Sequence, residues 1–459
     1  MAENGLQAAI AKMQQAEIGA SAIESFTFYY RQLQDGKVGT IREEDIEPLT
    51  GVPALRDIEV DEAAAQDALA KTVIIKLNGG LGTSMGLDGP KSLLHVRDGL
   101  TFLDISVRQV LAARKQYDVK LPIIFMHSFA TRKPCLDALS EYPELTVDGL
   151  PIDFEQSSEP KLDADDLSPV SWPADPSLEW CPPGHGDIYP SLRDSGVLDQ
   201  LIEGGYRYAA VSNVDNLGAR PDARLAGWFA SSGAEFACEV CRRTSNDRKG
   251  GHLAVRRSDQ HIILRESAQT REEDLQYFSD ENRHSMFNSN NLWLDLVALR
   301  ESLNERHGVL GLPLIKNTKT VDPTDPSSPK VVQIETAMGA AIEIFKKSAV
   351  VEIDRDRFVP VKKTNELLIL RSDCYNLDDS YHLVANAKAP KVDLDPDYYQ
   401  LIQDFDARFP KPLHLSRASA LSVKGDVSFG ENVEIIGDVK IEAPKPTKIP
   451  DKEVIEENR

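Results

Sequence analysis

Apolar and polar positions follow three rhythms along this chain. Thr72 to Leu77 is a short run of mostly β-branched residues with almost no polar alternation, which predicts a strand covered on both faces, as in a parallel sheet. Phe102, Ile105, Val110 and Leu111 then mark a helical stripe, and LPIIFMHS is the next apolar run. Strand, loop, helix and strand make a βαβ unit with a right-handed crossover, hence an α/β fold. Tyr208 to Val211 reads as another buried strand, EFACEVC, HLAVRR and HIILRE continue the series, and LDLVALRESL is helix-like. KVVQIE predicts a strand ending at Glu335, followed by a helix of small residues. The first 70 residues read as a peripheral helical arm, with Leu6, Ile10 and Met13 at helical spacing and a second helical piece in EVDEAAAQDALAK. From about residue 415 the period becomes six: Leu421, Val427, Val433 and Val439 form one series, and Val423, Phe429, Ile435 and Ile441 another. Such hexads predict a parallel β-helix, and the charged stretch from 443 to 459 a mobile tail.

The connection after the first strand carries chemistry. Gly79, Gly80, Gly82, Gly86 and Gly89 strip side chains from the backbone, so that successive N–H groups can approach an anion, and Lys91 adds a positive charge. That is a phosphate cradle. It is neither a Walker A loop, because Pro90 separates Gly89 from Lys91, nor a dinucleotide fingerprint, because Met85 stands where the third glycine belongs.

Composition narrows the partners. The 459 residues are 41% hydrophobic, enough for a large core and more than one domain, and the formal charge of -21 argues against nucleic acid and anionic membranes as partners. No apolar run is long enough to span a bilayer, and the first residues lack the basic and apolar regions of a signal peptide, so the chain reads as cytoplasmic. Five scattered cysteines do not make a disulfide framework, and Cys238-Glu-Val-Cys241 lies in an apparent strand without a second pair to complete a zinc site.

Three further stretches offer candidate groups. Residues 156 to 190 are dense in Pro, Asp and Ser and end in CPPGHGD, where two prolines stiffen the approach and two glycines expose the backbone around His185. After Tyr208 to Val211 the chain turns polar with Ser212, Asn213, Asp215 and Asn216, at the strand end where open α/β sheets bind ligands. A carboxylate there suits Mg²⁺, which takes one or two carboxylates plus phosphate oxygens. Asn288, Asn290 and Asn291 can bond sugar hydroxyls or cap a helix, and either Lys362 or Lys363 can turn inward.

LNGGLGTSMGLDGPKS resembles, almost position for position, the signature loop of the UTP:glucose-1-phosphate uridylyltransferases. FEQSSEP, PPGHGD, SNVDNLGA, FNSNNLW, QIETAMGAAI and RFVPVKKTNELL follow in family order, so the resemblance spans about residues 25 to 440. It implies a Rossmann-like nucleotidyltransferase domain with a mixed, mainly parallel sheet (71–385), an N-terminal helical arm (1–70), and a short C-terminal left-handed β-helix with its tail (386–459). The reaction implied is UTP plus glucose 1-phosphate giving UDP-glucose and pyrophosphate, with Mg²⁺; the alternatives are galactose 1-phosphate or an N-acetylhexosamine 1-phosphate as acceptor, or a silent nucleotide-sugar-binding protein. By the family's motifs, Leu77, Asn78, Gly79, Gly80, Gln156 and Gly184 line the nucleotide, and Lys91 holds its phosphates. His185 and Asn213 contact the sugar phosphate, Asn290 and Glu335 the hexose, Asp215 binds the metal, and Lys362 is the catalytic lysine. The family's β-helix often mediates subunit contacts; here the hexads stop near residue 442, which leaves a homo-oligomer through that end an open expectation.

Overall fold

In the computed structural model, which describes residues 2–244 and 247–456, the Thr72–Asn78 strand is buried along its whole length. Its side chains divide between two apolar layers, Val73, Ile75 and Leu77 in one and Ile74 in the other. Both faces are therefore covered, as an unalternating apolar run requires. The strand pairs in parallel with Ile123–His127 on one side and Tyr208–Asn213 on the other, and Ile123–His127 pairs in parallel with Asp153–Glu155. Met286–Asp295 adds antiparallel to Tyr208–Asn213, and Phe236–Arg242 and His252–Arg256 lie beyond it. The result is a mixed sheet of ten strands whose parallel part carries the glycine loop.

The helix predicted after that loop spans Phe102–Tyr117 and starts with a capping box, in which Thr101 and Asp104 satisfy each other's backbone N–H. It buries Phe102, Ile105 and Val110 of the predicted stripe. The arm is only partly helical. Ala2–Gln15 and Ala20–Gln34 pack Leu6, Met13, Phe26 and Tyr30 against Leu162, Leu314 and Ile334. They thereby back the Lys330–Glu335 strand, which ends at a predicted site residue. Glu62–Ala70 packs Ala65 and Leu69 into the core beside Ala226, and Ile46–Pro48 is an edge strand of the main sheet, paired with His252–Arg256.

Two expectations are corrected. The small residues after Glu335 form a 3₁₀ helix, Met338–Glu343, in place of an α-helix. The backbone there is committed to tertiary partners: the Met338 N–H donates to Nδ1 of His185 (2.9 Å), and a Cβ on Gly339 would stand 3.1 Å from the amide of Asn288. The segment 443–456 is not a tail, and the last three residues of that expectation lie outside the described residues. His414–Phe429 and Glu434–Ile449 run in parallel, and Val454–Ile455 adds to the second. Leu421 pairs with Val439 and Val423 with Ile441, so one coil consumes three hexads. Ile449 and Ile455 are buried in the same stack, which holds the charged residues between them at the surface.

All five cysteines are free and buried, and Cys238 and Cys241 belong to different apolar layers, which removes them as a metal pair.

Candidate active site

Four parallel strands end side by side, and the predicted nucleotide residues stand on those ends. Leu77 lies opposite Asn213, Asn78 opposite His127, and His127 opposite Glu155, the residue before Gln156. The glycine loop then folds back on itself, with Lys91 N–H bonded to the carbonyl of Gly80 (3.2 Å). Gln156 covers the start of this loop so closely that a Cβ on Gly79 would lie 3.0 Å from its amide. Two neighbouring carboxylate bonds hold Gln156 there: Ser157 N–H and hydroxyl both donate to Asp187, each at 2.6 Å. Asp187 also accepts from the Ser191 hydroxyl (2.7 Å) and is buried, which pushes its pKa up to about 6 despite these bonds.

Asp187 closes the GHGD turn, which leads to the next wall. Gly184 has φ +80, and a Cβ there would meet the Thr336 carbonyl at 2.6 Å, so only glycine fits against Glu335 and Thr336. His185 is half-buried, not a surface histidine, and burial holds its imidazole below the usual value. Because Nδ1 accepts from Met338, the neutral ring carries its hydrogen on Nε2, where it can donate to a ligand oxygen. Gly339 leads on to the amides: Asn288 donates to Asn290 Oδ1 (2.9 Å), and Asn290 sits in the left-handed region at φ 58. Asn288 N–H bonds the carbonyl of Gly251, a Cβ on which would lie 2.7 Å from the carboxylate of Glu266.

Glu266 brings the ring round to the lysines. Burial raises its pKa, and the charge of Lys362 opposes that rise. Lys362 and Lys363 are both exposed, and Lys363 begins the Thr364–Arg371 helix, where Glu366 accepts its N–H (2.7 Å). On the residue before Lys362, the Val361 carbonyl accepts a bond from Lys91, whose Nζ also pairs with Asp215 at 2.5 Å. Glycine loop, Gln156, the GHGD turn, Glu335, the asparagines, Glu266, Lys362 and Asp215 thus form one continuous rim. Every residue predicted for the site is on it or on the strand ends beneath it.

Three of them contribute differently from expectation. The side chains of Leu77 and Asn78 are buried, and Asn78 bonds His127 and Cys135 (3.3 Å each), so neither side chain faces the open end of the site. Glu335 shares its carboxylate with Lys319 (3.4 Å) and stands behind Gly184.

Sequence reasoning missed a buried layer below the rim. Lys76 is 1% exposed and donates to Ser212 Oγ (2.9 Å) and the Ala219 carbonyl (2.8 Å). Burial, helped by the nearby Arg357, brings its pKa down to about 7. A lysine inside an apolar strand run was the available signal. Glu266 gave none.

A divalent cation fits this site through Asp215, an oxygen donor facing the phosphate cradle and one-fifth exposed. Lys91 now neutralises it, which shows that the position tolerates a cation. Among the described residues no three His, Cys, Asp or Glu side chains cluster as a ready-made cage. Such a metal would take its remaining ligands from a substrate.

The rim supplies charge and position for phosphates, and no serine or cysteine on it is hydrogen-bonded to a histidine among the described residues. That is the equipment of a nucleotidyltransferase, in which substrate attacks substrate. A family model described as UTP--glucose-1-phosphate uridylyltransferase matches residues 23–436, and the chain belongs to that family. It is 36% identical over 433 residues to the enzyme of that name from Hordeum vulgare, covering 93% of this chain and 88% of the relative. A probable UTP--glucose-1-phosphate uridylyltransferase of Schizosaccharomyces pombe is 37% identical over 391 residues, with 84% and 76% covered. Among solved structures, the UDP-glucose pyrophosphorylase of Leishmania major superimposes with TM-score 0.91 at 40% identity, over 99% of this chain and 98% of that one. The UDP-glucose phosphorylase of Trypanosoma brucei gives 0.89 at 40% identity, over 98% and 99%.

Proposed function

We propose that this chain, a cytoplasmic enzyme, transfers the uridylyl group of UTP to glucose 1-phosphate, giving UDP-glucose and pyrophosphate, by direct attack of the sugar phosphate on the α-phosphorus. The observation that carries this reading is the junction where Lys91 bonds both Asp215 and the carbonyl before Lys362, which brings a cation, a carboxylate and the chain that carries Lys362 together at the glycine loop. A sugar phosphate oxygen is already anionic near neutral pH, so neither a general base nor a covalent intermediate is needed. Position and charge neutralisation suffice.

Roles follow from placement. The amides of Leu77 to Gly80 and the side chain of Gln156 hold the nucleotide, with the Gly184 backbone at its base. Lys91 turns from Asp215 to the UTP phosphates, and Lys362 stands where charge accumulates in the transition state. His185, as a neutral donor, and Asn213 receive the sugar phosphate, while Asn290, Glu335 and the half-buried Glu266 meet the hexose hydroxyls. Mg²⁺ would be held by Asp215 and by phosphate oxygens, and it supplies neutralisation of phosphate charge.

The test is pyrophosphate release from UTP, ATP, GTP and dTTP against glucose, galactose and N-acetylglucosamine 1-phosphates with Mg²⁺. Turnover is expected with UTP and glucose 1-phosphate. Preference for another sugar would reassign the acceptor, and no release with UTP and any hexose phosphate would refute the reading.

A further inference from the structure

The chain that carries Lys362 has little regular structure to fix it. Between the short Arg355–Arg357 turn and the Thr364–Arg371 helix it makes no strand, so its backbone groups must find partners elsewhere. They find one side chain above all. Asn216 Oδ1 accepts the N–H of Val359 (2.9 Å), and its Nδ2 donates to the carbonyl of Arg357 (3.2 Å). Asn216 also forms an isolated backbone bridge with Pro360. It is 2% exposed and directly follows Asp215, so one amide joins the Asp215 wall to the Lys362 wall.

The amide itself is held from behind. Asn216 Nδ2 donates to Asn291 Oδ1 (3.0 Å), and Asn291 donates to Glu239 (3.0 Å). Glu239 grips Arg357 through both carboxylate oxygens, at 3.0 and 3.1 Å. A fully bonded polar cluster of this kind resists displacement, because any shift strands a buried group. We infer that Asn216, backed by Asn291, Glu239 and Arg357, is a positioning residue that sets where Lys362 stands against the reacting phosphates. It touches no substrate and acts through the lysine. This rests on the role given to Lys362 above.

A double-mutant cycle in the full-length enzyme tests it, with kcat and KM for UTP measured for Asn216→Ala, Lys362→Ala and the pair, and folding followed by near-ultraviolet circular dichroism. Asn216→Ala lowers kcat by about 100-fold, the scale of a lysine displaced by about an ångström, with KM little changed. Added to Lys362→Ala it costs little more, since the group it positions is gone. Losses that multiply, a normal kcat, or an effect on KM alone would overturn the inference. Asn216→Asp keeps the acceptor for Val359 and serves if the alanine variant does not fold. It also loses the donor to Asn291 and to the Arg357 carbonyl and sets a carboxylate against both, so its kcat falls toward that of the alanine variant, and a kcat equal to the parent's would count against the inference. If Lys362→Ala itself turns over normally, the assignment of Lys362 fails. If only Lys362→Ala is impaired, the role of Asn216 fails alone.

Discussion

Replacing Lys362 with alanine lowers kcat by at least about 100-fold while the fold stays intact, because the substitution removes a charge that acts on the transition state. The structural reason for expecting an intact fold is that the side chain is exposed, and the backbone just before it is held by Asn216 at Val359 and by Lys91 at Val361. Steady-state kinetics and circular dichroism on the same preparation decide it. Lys363→Ala is the control, since that residue is also exposed but begins a helix. Near-normal turnover in Lys362→Ala, or an equal loss in Lys363→Ala, would reject the assignment.

Replacing Glu239 with alanine acts on stability instead. Glu239 is the shared acceptor for Arg357, Asn291 and the Trp293 indole N–H (2.9 Å), and Arg357 is only 5% exposed. Removing one partner of a buried pair leaves the other charge uncompensated, at a cost of about 3–5 kcal/mol. Asp222, 3.4 Å from Arg357, softens this toward the lower end. Glu239→Gln retains an acceptor and is expected to lose less. Urea denaturation curves measure both, and a loss under about 1 kcal/mol in the alanine variant would show the cluster to be dispensable.

How far the site was legible in the sequence follows from the range of each interaction. The strand into the glycine loop announced itself by local pattern, since burial on both faces leaves an unbroken apolar run and close backbone approach leaves glycines. The GHGD turn was legible for the same reason: Gly184 must take a positive φ against Thr336. Which lysine serves the site was not legible from spacing, because the two neighbours differ only in what the fold brings near them, Glu266 for one and a helix start for the other. The Asn216 cluster was invisible too. Its members come from four separated segments, and an asparagine in a turn looks the same whether it faces water or a buried guanidinium.

The two misread segments teach complementary lessons. After Glu335, helix-forming small residues yield to tertiary demand, since Met338 N–H is claimed by His185. Beyond residue 442, charge density suggested mobility, but two isoleucines six apart, Ile449 and Ile455, are enough to seat the strand while its charged residues face solvent. Periodicity outweighs composition there.

The claim that the rim transfers a uridylyl group directly, without a covalent enzyme intermediate, is tested most sharply by isotope exchange. The enzyme is incubated with Mg²⁺, UTP and labelled pyrophosphate, with and without UDP-glucose. Direct attack predicts label in UTP only when UDP-glucose is present, because only the nucleotide sugar can return its uridylyl group to pyrophosphate. Label entering UTP in the absence of any sugar nucleotide or sugar phosphate would reveal a uridylylated enzyme and contradict the account.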